Sequence, residues 1–354
     1  MKKWLLFVAV LGLSLAWGLL RERPVAAPGA RPAETLVPPL YAAAADGSAL
    51  VKRELVLMGS PFVLVADAPH DQALAAISAA SERLRRLEAE ISSWKPSSDV
   101  YRLNDNAGSF VTVGEDTLTL LQLAQQIHAD TGGVFDISIG AVWDLYPFRQ
   151  PNAPWPRAEQ IAAALQHVGA QRIEIDAAGA RARLPRGMRI NLGGIGKGYA
   201  ARIAIETLRG LGIQNAAVSA GGDLYLLGSK PGGPWQVRIA NPRWEGQLIE
   251  QFTLRDRAVA TSGDAARYIV REGKRYGHIL DPRSGLPAQG TQSVTVICDD
   301  PTLADAYATA VFVLGPVEGM RWVEARAGVE ALIVDAQGYV SRSRGWAAAT
   351  GEAS

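Results

Sequence analysis

The apolar and polar positions along this chain change period repeatedly, and the changes outline its elements. Residues 53–66, "RELVLMGSPFVLVA", alternate as two short strands broken at Gly59-Ser60-Pro61, where three turn-forming residues stand together. Residues 71–91 carry Ala, Ile and Leu at helical spacing with "ERLRRLEAE" on the exposed side, which predicts an amphipathic helix. The same period returns over 117–131, ending at Gly132-Gly133 as a helix C-terminus does, and over 158–168. Residues 171–184 and 188–192 alternate as strands, a glycine-rich stretch opens a helix over 200–210, and 216–227 reads as a strand interrupted at Gly221-Gly222. Further strands are predicted at 235–240, 248–254, 258–262, 293–298 and 329–334, with helices at 303–313 and 317–325. Strands and helices mix without the regular alternation of a doubly wound sheet, so the fold class is α+β, mixed sheets packed with helices. The absence of any repeat of roughly 20 to 50 residues argues against a solenoid.

Two lysines and an apolar run over 4–20 precede these elements, which is the layout of an export signal. The run is short for a bilayer span and Arg21 and Arg23 follow it, so residues 1–23 are expected to be a signal peptide or a signal anchor. Residues 24–49 are rich in Ala and Pro and read as a linker, leaving 50–350 as one large domain. The expected location is therefore the periplasm, free or anchored to the inner membrane and facing outwards. No cysteine follows the apolar run, so a lipoprotein is not expected. At 354 residues and 48% hydrophobic the chain has ample material for a core, and a formal net charge of +1 gives no footprint for nucleic acid. Cys298 is the single cysteine, which excludes an intramolecular disulfide.

Candidate chemistry begins at "INLGGIGKGYAA", residues 190–201, where four glycines and Lys197 meet the start of a helix. Unpaired N–H groups and the positive end of a helix dipole suit a phosphate. The stretch is no P-loop, because Gly198 follows the lysine in place of Ser or Thr, and no dinucleotide fingerprint, because the glycine spacing is wrong. A tight β–α turn with a surface lysine accounts for it equally well. In "LADAYATAVFVLG", Asp305 and Thr309 are spaced i, i+4 and share a helix face, two hard oxygens suited to Mg²⁺; a first-turn dipole partner and a back-bonded threonine explain them too. Thr261 and Ser262 follow a strand, where hydroxyls and N–H groups can meet an anion. His278, in "GHILDP", is the one histidine inside a polar, glycine-punctuated segment and the candidate general base, against a structural role in the turn. His70, His128 and His167 fall on helix ends or surfaces. No G-x-S-x-G elbow and no zinc-ligand spacing occur, which leaves flavin or nucleotide binding.

Eight segments in order, "LMGSPF", "SSWKPSSDVYRLN", "TGGVFDISIGAVWDL", "INLGGIGKGYAA", "VSAGGDLYLLG", "AVATSGDAARY", "GHILDPRSGLP" and "LADAYATAVFVLG", resemble the ApbE family of FAD:protein FMN transferases. The resemblance implies an enzyme that uses Mg²⁺ as cofactor and FAD as substrate, transfers FMN through a phosphoester to a Thr or Ser of a partner protein, and releases AMP. It implies an acceptor among membrane or periplasmic electron-transfer components. Carried over by motif, Asp305, Thr309 and the backbone at Gly194 would hold Mg²⁺, and Lys197 would face the FAD. Met58, Phe135, Asp136, Gly221, Gly222, Thr261, Ser262 and Ile279 match positions lining the FAD site, Trp94 would offer a stacking surface, and His278 with Asp305 would carry catalysis. Asn191 stands where the family commonly has Asp, and Arg202 where an acidic residue often follows "KGYA"; both remove negative charge near the site. A non-catalytic FAD carrier and an FAD pyrophosphatase are the alternatives.

Overall fold

The computed structural model describes residues 49–148 and 154–351. The signal or anchor expected over 1–23 and nearly all of the linker expected over 24–49 lie outside them. The first strands, β1 (Ala49–Leu57) and β2 (Ser60–Ala68), form a hairpin whose two turn residues, Met58 and Gly59, both have positive φ (52° and 71°). That two-residue turn matches the twist of its strands. The turn therefore sits one residue earlier than the Gly-Ser-Pro signal placed it, and Ser60 and Pro61 already belong to β2.

Helix α1 (His70–Ile91) buries Ala73, Ile77, Ala80, Leu84, Leu87 and Ile91, the stripe its sequence spacing sets out. A short helix α2 (Asp99–Asp105) begins where the Ser98 hydroxyl accepts from the Tyr101 N–H, and β3 (Phe110–Thr112), α3 (Glu115–Asp130), α4 (Gly140–Trp143) and α5 (Ala158–Leu165) follow. The strand expected over 171–184 breaks into a 3₁₀ turn, β4 (Glu174–Asp176) and β5 (Arg181–Arg183), because Ala180 turns the chain with φ 47°. The alternation at 188–192 finds no ladder: only an isolated bridge joins Arg189 to Ile139.

Next come α6 (Gly196–Gly210), β6 (Asn215–Ala220), β7 (Asp223–Leu227), the β8 (Trp235–Ala240) and β9 (Leu248–Leu254) hairpin, and β10 (Arg257–Gly263). A second hairpin, β11 (Tyr268–Arg271) and β12 (Lys274–Gly277), precedes β13 (Thr291–Cys298), α7 (Pro301–Glu324), β14 (Glu330–Asp335), β15 (Val340–Arg342) and α8 (Trp346–Thr350). The two helices expected over 303–325 form one element kinked at Gly315 (φ 81°, ψ 177°) just before Pro316.

Eight strands make the main sheet in the order β1-β2-β6-β7-β10-β13-β14-β15, antiparallel throughout. Helices α1, α6 and α7 cover one face, burying Phe62, Leu64, Val218, Val294 and Phe312 among them. The β8–β9 hairpin and Trp346 cover the other, with Trp235, Phe252 and Val259 at the centre. A smaller cluster of Val142, Trp143, Tyr146 and Leu280 anchors the segment after β12, where the Tyr146 hydroxyl donates to the Gly285 carbonyl at 2.8 Å. In this antiparallel order the β1–β2 and β6–β7 turns, the end of β10 and the start of β13 all fall at one end of the sheet.

Candidate active site

The N-terminus of α6 reaches that same end, and glycines let it come close. A Cβ at Gly198 would stand 2.2 Å from the Pro301 carbonyl oxygen and 2.7 Å from Asp305 Cβ, so glycine is what allows α6 to cross α7 here. A Cβ at Gly194 would stand 3.3 Å from Thr309 Oγ1 and from the Phe135 ring, which puts bare backbone directly against that hydroxyl. Gly221 (φ 64°) turns the chain between β6 and β7, with Lys197 packed over it and Gly222 (φ 106°) beside it.

Lys197 lies between two buried carboxylates: its Nζ donates to Asp223 and, at 3.2 Å, to Asp305 Oδ1. Asp305 Oδ2 accepts from the Gly198 N–H at 2.9 Å, and Asp223 Oδ1 from the Thr261 N–H at 3.0 Å. Burial acts to lower the Lys197 ammonium, yet the two carboxylates outweigh it and hold the group above the usual lysine range. Burial pushes the Asp223 carboxyl up, Lys197 pulls it back, and the Asp305 charge raises it again, leaving it at about 6. Two carboxylates share one ammonium, so the site has room for further positive charge. Beside them Ser262 Oγ and Thr309 Oγ1 are 3.0 Å apart. Among the described residues no three His, Cys, Asp or Glu cluster as a metal site. A cation here would be held by one carboxylate, hydroxyls and carbonyl oxygens, the hard mixed set that suits Mg²⁺.

His278 directly follows β12. Its N–H donates to the Arg267 carbonyl at 3.1 Å, and Nδ1 lies 3.2 Å from the same oxygen. A carbonyl only accepts, so Nδ1 carries the proton and Nε2 presents its lone pair. Trp143 Nε1 donates to the His278 carbonyl at 3.0 Å and fixes the backbone. Burial above all, then the Arg267 charge and more weakly Lys197, push the imidazole down to about 4, which keeps it neutral at pH 7.

The remaining expected residues fall around this centre in different ways. Met58 is at the β1–β2 turn, its N–H donating to Glu88 Oε1 at 2.6 Å, and a Cβ at Gly221 would stand 3.1 Å from that of Ser60, the first residue of β2. Thr261 Oγ1 pairs with Thr295 Oγ1 at 2.9 Å. Ile279 follows His278, half-buried, its carbonyl accepting from the Ala288 N–H. Trp94 stands in the turn after α1 with an exposed ring. Asp136 faces inwards: Oδ1 accepts from the Ser138 N–H and hydroxyl, Oδ2 from the Ala170 N–H, and His128 Nδ1 lies 3.2 Å away. Its carboxylate shapes the loop that presents Phe135, and hydrogen bonding to it is the main reason the His128 imidazole is raised. Sequence reasoning missed Asp223, whose position straight after the Gly221-Gly222 turn was the available signal, and Arg267, for which no ion-pair partner occurs among the described residues.

The ApbE family is matched over residues 58–333. An FAD:protein FMN transferase of Klebsiella pneumoniae (strain 342) is 33% identical over 283 residues, spanning 79% of this chain and 87% of that one. The ApbE protein of Thermotoga maritima superposes with a TM-score of 0.80 at 33% identity, covering 85% of this chain and 99% of its own. The flavinyl transferase ApbE of Pseudomonas stutzeri, in its apo form, gives 0.78 at 30% identity, covering 87% and 98%. A family match over most of the chain, relatives at this identity and a shared fold lead to one conclusion: the chain belongs to the ApbE family.

Proposed function

We propose that this chain is a Mg²⁺-dependent FAD:protein FMN transferase, cleaving FAD and joining FMN to a Thr or Ser hydroxyl of a partner protein with release of AMP. The observation that carries the reading is the junction at the start of α6, where Lys197, two buried carboxylates and bare glycine backbone meet. The FAD diphosphate would lie against that helix start, with Lys197 neutralising part of its charge. Mg²⁺, held by Asp305, Thr309 and the backbone near Gly194, would supply the rest of the neutralisation. His278 Nε2 would take the proton of the incoming hydroxyl, whose oxygen bonds to the FMN phosphorus as the bond to the bridging oxygen breaks and AMP departs. Holding that geometry is most of the work in phosphoryl transfer. A protein that only carried FAD would need no proton acceptor beside the phosphates, which favours transfer over the carrier reading.

Incubating the full chain with FAD, MgCl₂ and a threonine-bearing acceptor peptide, read by mass spectrometry, tests the proposal. An FMN adduct on the peptide supports it. Free FMN and AMP without adduct would identify a pyrophosphatase, and intact bound FAD a carrier. The apolar run over 4–20 further leads us to place the domain outside the cytoplasm. Protease added to intact spheroplasts should digest it, and protection alongside cytoplasmic markers would overturn the placement.

A further inference from the structure

Two surface features lie beside the segment that carries His278. The first is the β11–β12 hairpin, which follows Arg267, runs straight into His278 and carries Arg271, Lys274 and Arg275 against the lone acid Glu272. Its cations rest on rings: Arg275 lies 3.9 Å over Tyr268, Lys274 5.3 Å over Tyr276, and Arg271 5.6 Å over Trp155. Arg271 pairs with Glu272 at 3.4 Å, but Lys274 and Arg275 have no carboxylate partner among the described residues, whereas most arginines elsewhere in the fold are ion-paired. Stacking holds Lys274 and Arg275 in place without neutralising them.

The second is the loop 241–247, which raises Trp244, 65% exposed, above the surface. The loop is pre-shaped: Asn241 Oδ1 accepts from the Arg243 and Trp244 N–H groups, and the Asn241 N–H donates to the Gln247 carbonyl. It is also fastened to the site, because Arg243 grips Asp264 through two bonds of 2.6 and 2.7 Å. Asp264 in turn lies so close to Gly277 that a Cβ there would stand 2.9 Å from its own. Trp244 is thereby tied to the residue preceding His278.

We infer that Trp244 and the β11–β12 hairpin form the docking rim for the protein that receives FMN, and that the docking face of this acceptor is acidic. The inference rests on the transferase reading and deepens it. An exposed tryptophan on a hydrogen-bonded loop beside the unneutralised Lys274 and Arg275 is the composition of a binding hot spot, and the excess positive charge selects and steers an acidic partner. An anionic membrane would complement the same charge, but a bilayer seated on the hairpin would cover the adjoining His278 against an incoming hydroxyl, which favours a protein occupant.

The test uses the full chain and two peptides of equal length around one threonine, one flanked by aspartates and one by lysines. Binding is followed by fluorescence anisotropy without FAD or Mg²⁺, so it stands apart from turnover. Wild type should favour the acidic peptide, and R271E/K274E/R275E should weaken that binding about tenfold, as three exposed charge contacts together allow. Trp244→Ala should weaken it without altering charge, and FAD titration should be unchanged in both variants. Equal loss in an R85E/R86E control on α1 would overturn the inference, as would undiminished peptide binding in the hairpin variant. Anionic vesicles retained by wild type and lost by the hairpin variant, with peptide binding unaffected, would assign the rim to a membrane instead. Absence of FMN adduct with peptide binding intact would strike the transferase reading alone.

Discussion

At the scale of single residues, the consequences centre on His278. If its Nε2 takes the acceptor's proton, His278→Ala should lower the rate of FMN transfer by about 10²–10⁴-fold, the usual worth of general-base catalysis, while FAD titration stays nearly unchanged. A histidine that only held the turn would show the reverse pattern, a lower melting temperature with turnover per folded molecule preserved. The depressed imidazole also makes stability depend on pH. Folding lowers this group from 6.5 to about 4, so between those values the unfolded chain binds the proton more readily. Its contribution is complete above 6.5 and lost as the pH falls toward 4. His128 has the opposite sign, because Asp136 raises it: its contribution is complete below 6.5 and lost as the pH rises through its folded value. Urea unfolding at pH 7 and pH 5 should show a smaller acid loss for His278→Gln than for wild type, and a larger one for His128→Gln.

At the scale of elements, the α6–α7 crossing is the joint on which the site depends. Gly198→Ala forces a methyl against the Pro301 carbonyl and should cost about 1–3 kcal/mol in stability, with weakened FAD binding because Lys197 and Asp305 are pushed apart. In Gly210→Ala, at the other end of α6, the added carbon meets nothing, and the melting temperature should hold or rise. This scale also separates what the sequence disclosed from what it did not. Elements with a long, one-sided pattern, such as α1, α3, β8 and β9, announced themselves because burial imposes their period. The β11–β12 hairpin did not: its Glu272-Gly273 turn lacks the usual asparagine, and cations at 271, 274 and 275 cut its apolar run to Tyr268, Ile269 and Val270, too short to show a period. Asp305 and Thr309 were legible as a pair because one helix turn separates them. The Lys197–Asp223 contact spans 26 residues of sequence and is made only by the β6–β7 turn folding back over α6.

At the scale of the whole molecule, the site is assembled from the ends of elements spread between Met58 and Thr309, while the sheet itself is added almost in chain order. Neighbouring strands can pair as they appear, but Lys197 meets its second carboxylate only after α7 has been laid down. Closing that long loop costs more entropy than pairing neighbouring strands, so the contact is expected to form late in folding. The site therefore has a history as well as a shape: a partly translated chain lacks Asp305 and has only one of the two carboxylates that meet Lys197. Competence to capture FAD should arrive as a final event, so an incomplete chain should not carry off flavin. Stopped-flow refolding with FAD present should show flavin fluorescence changing after the tryptophan signal of core formation, and simultaneous changes would show that the cradle forms early.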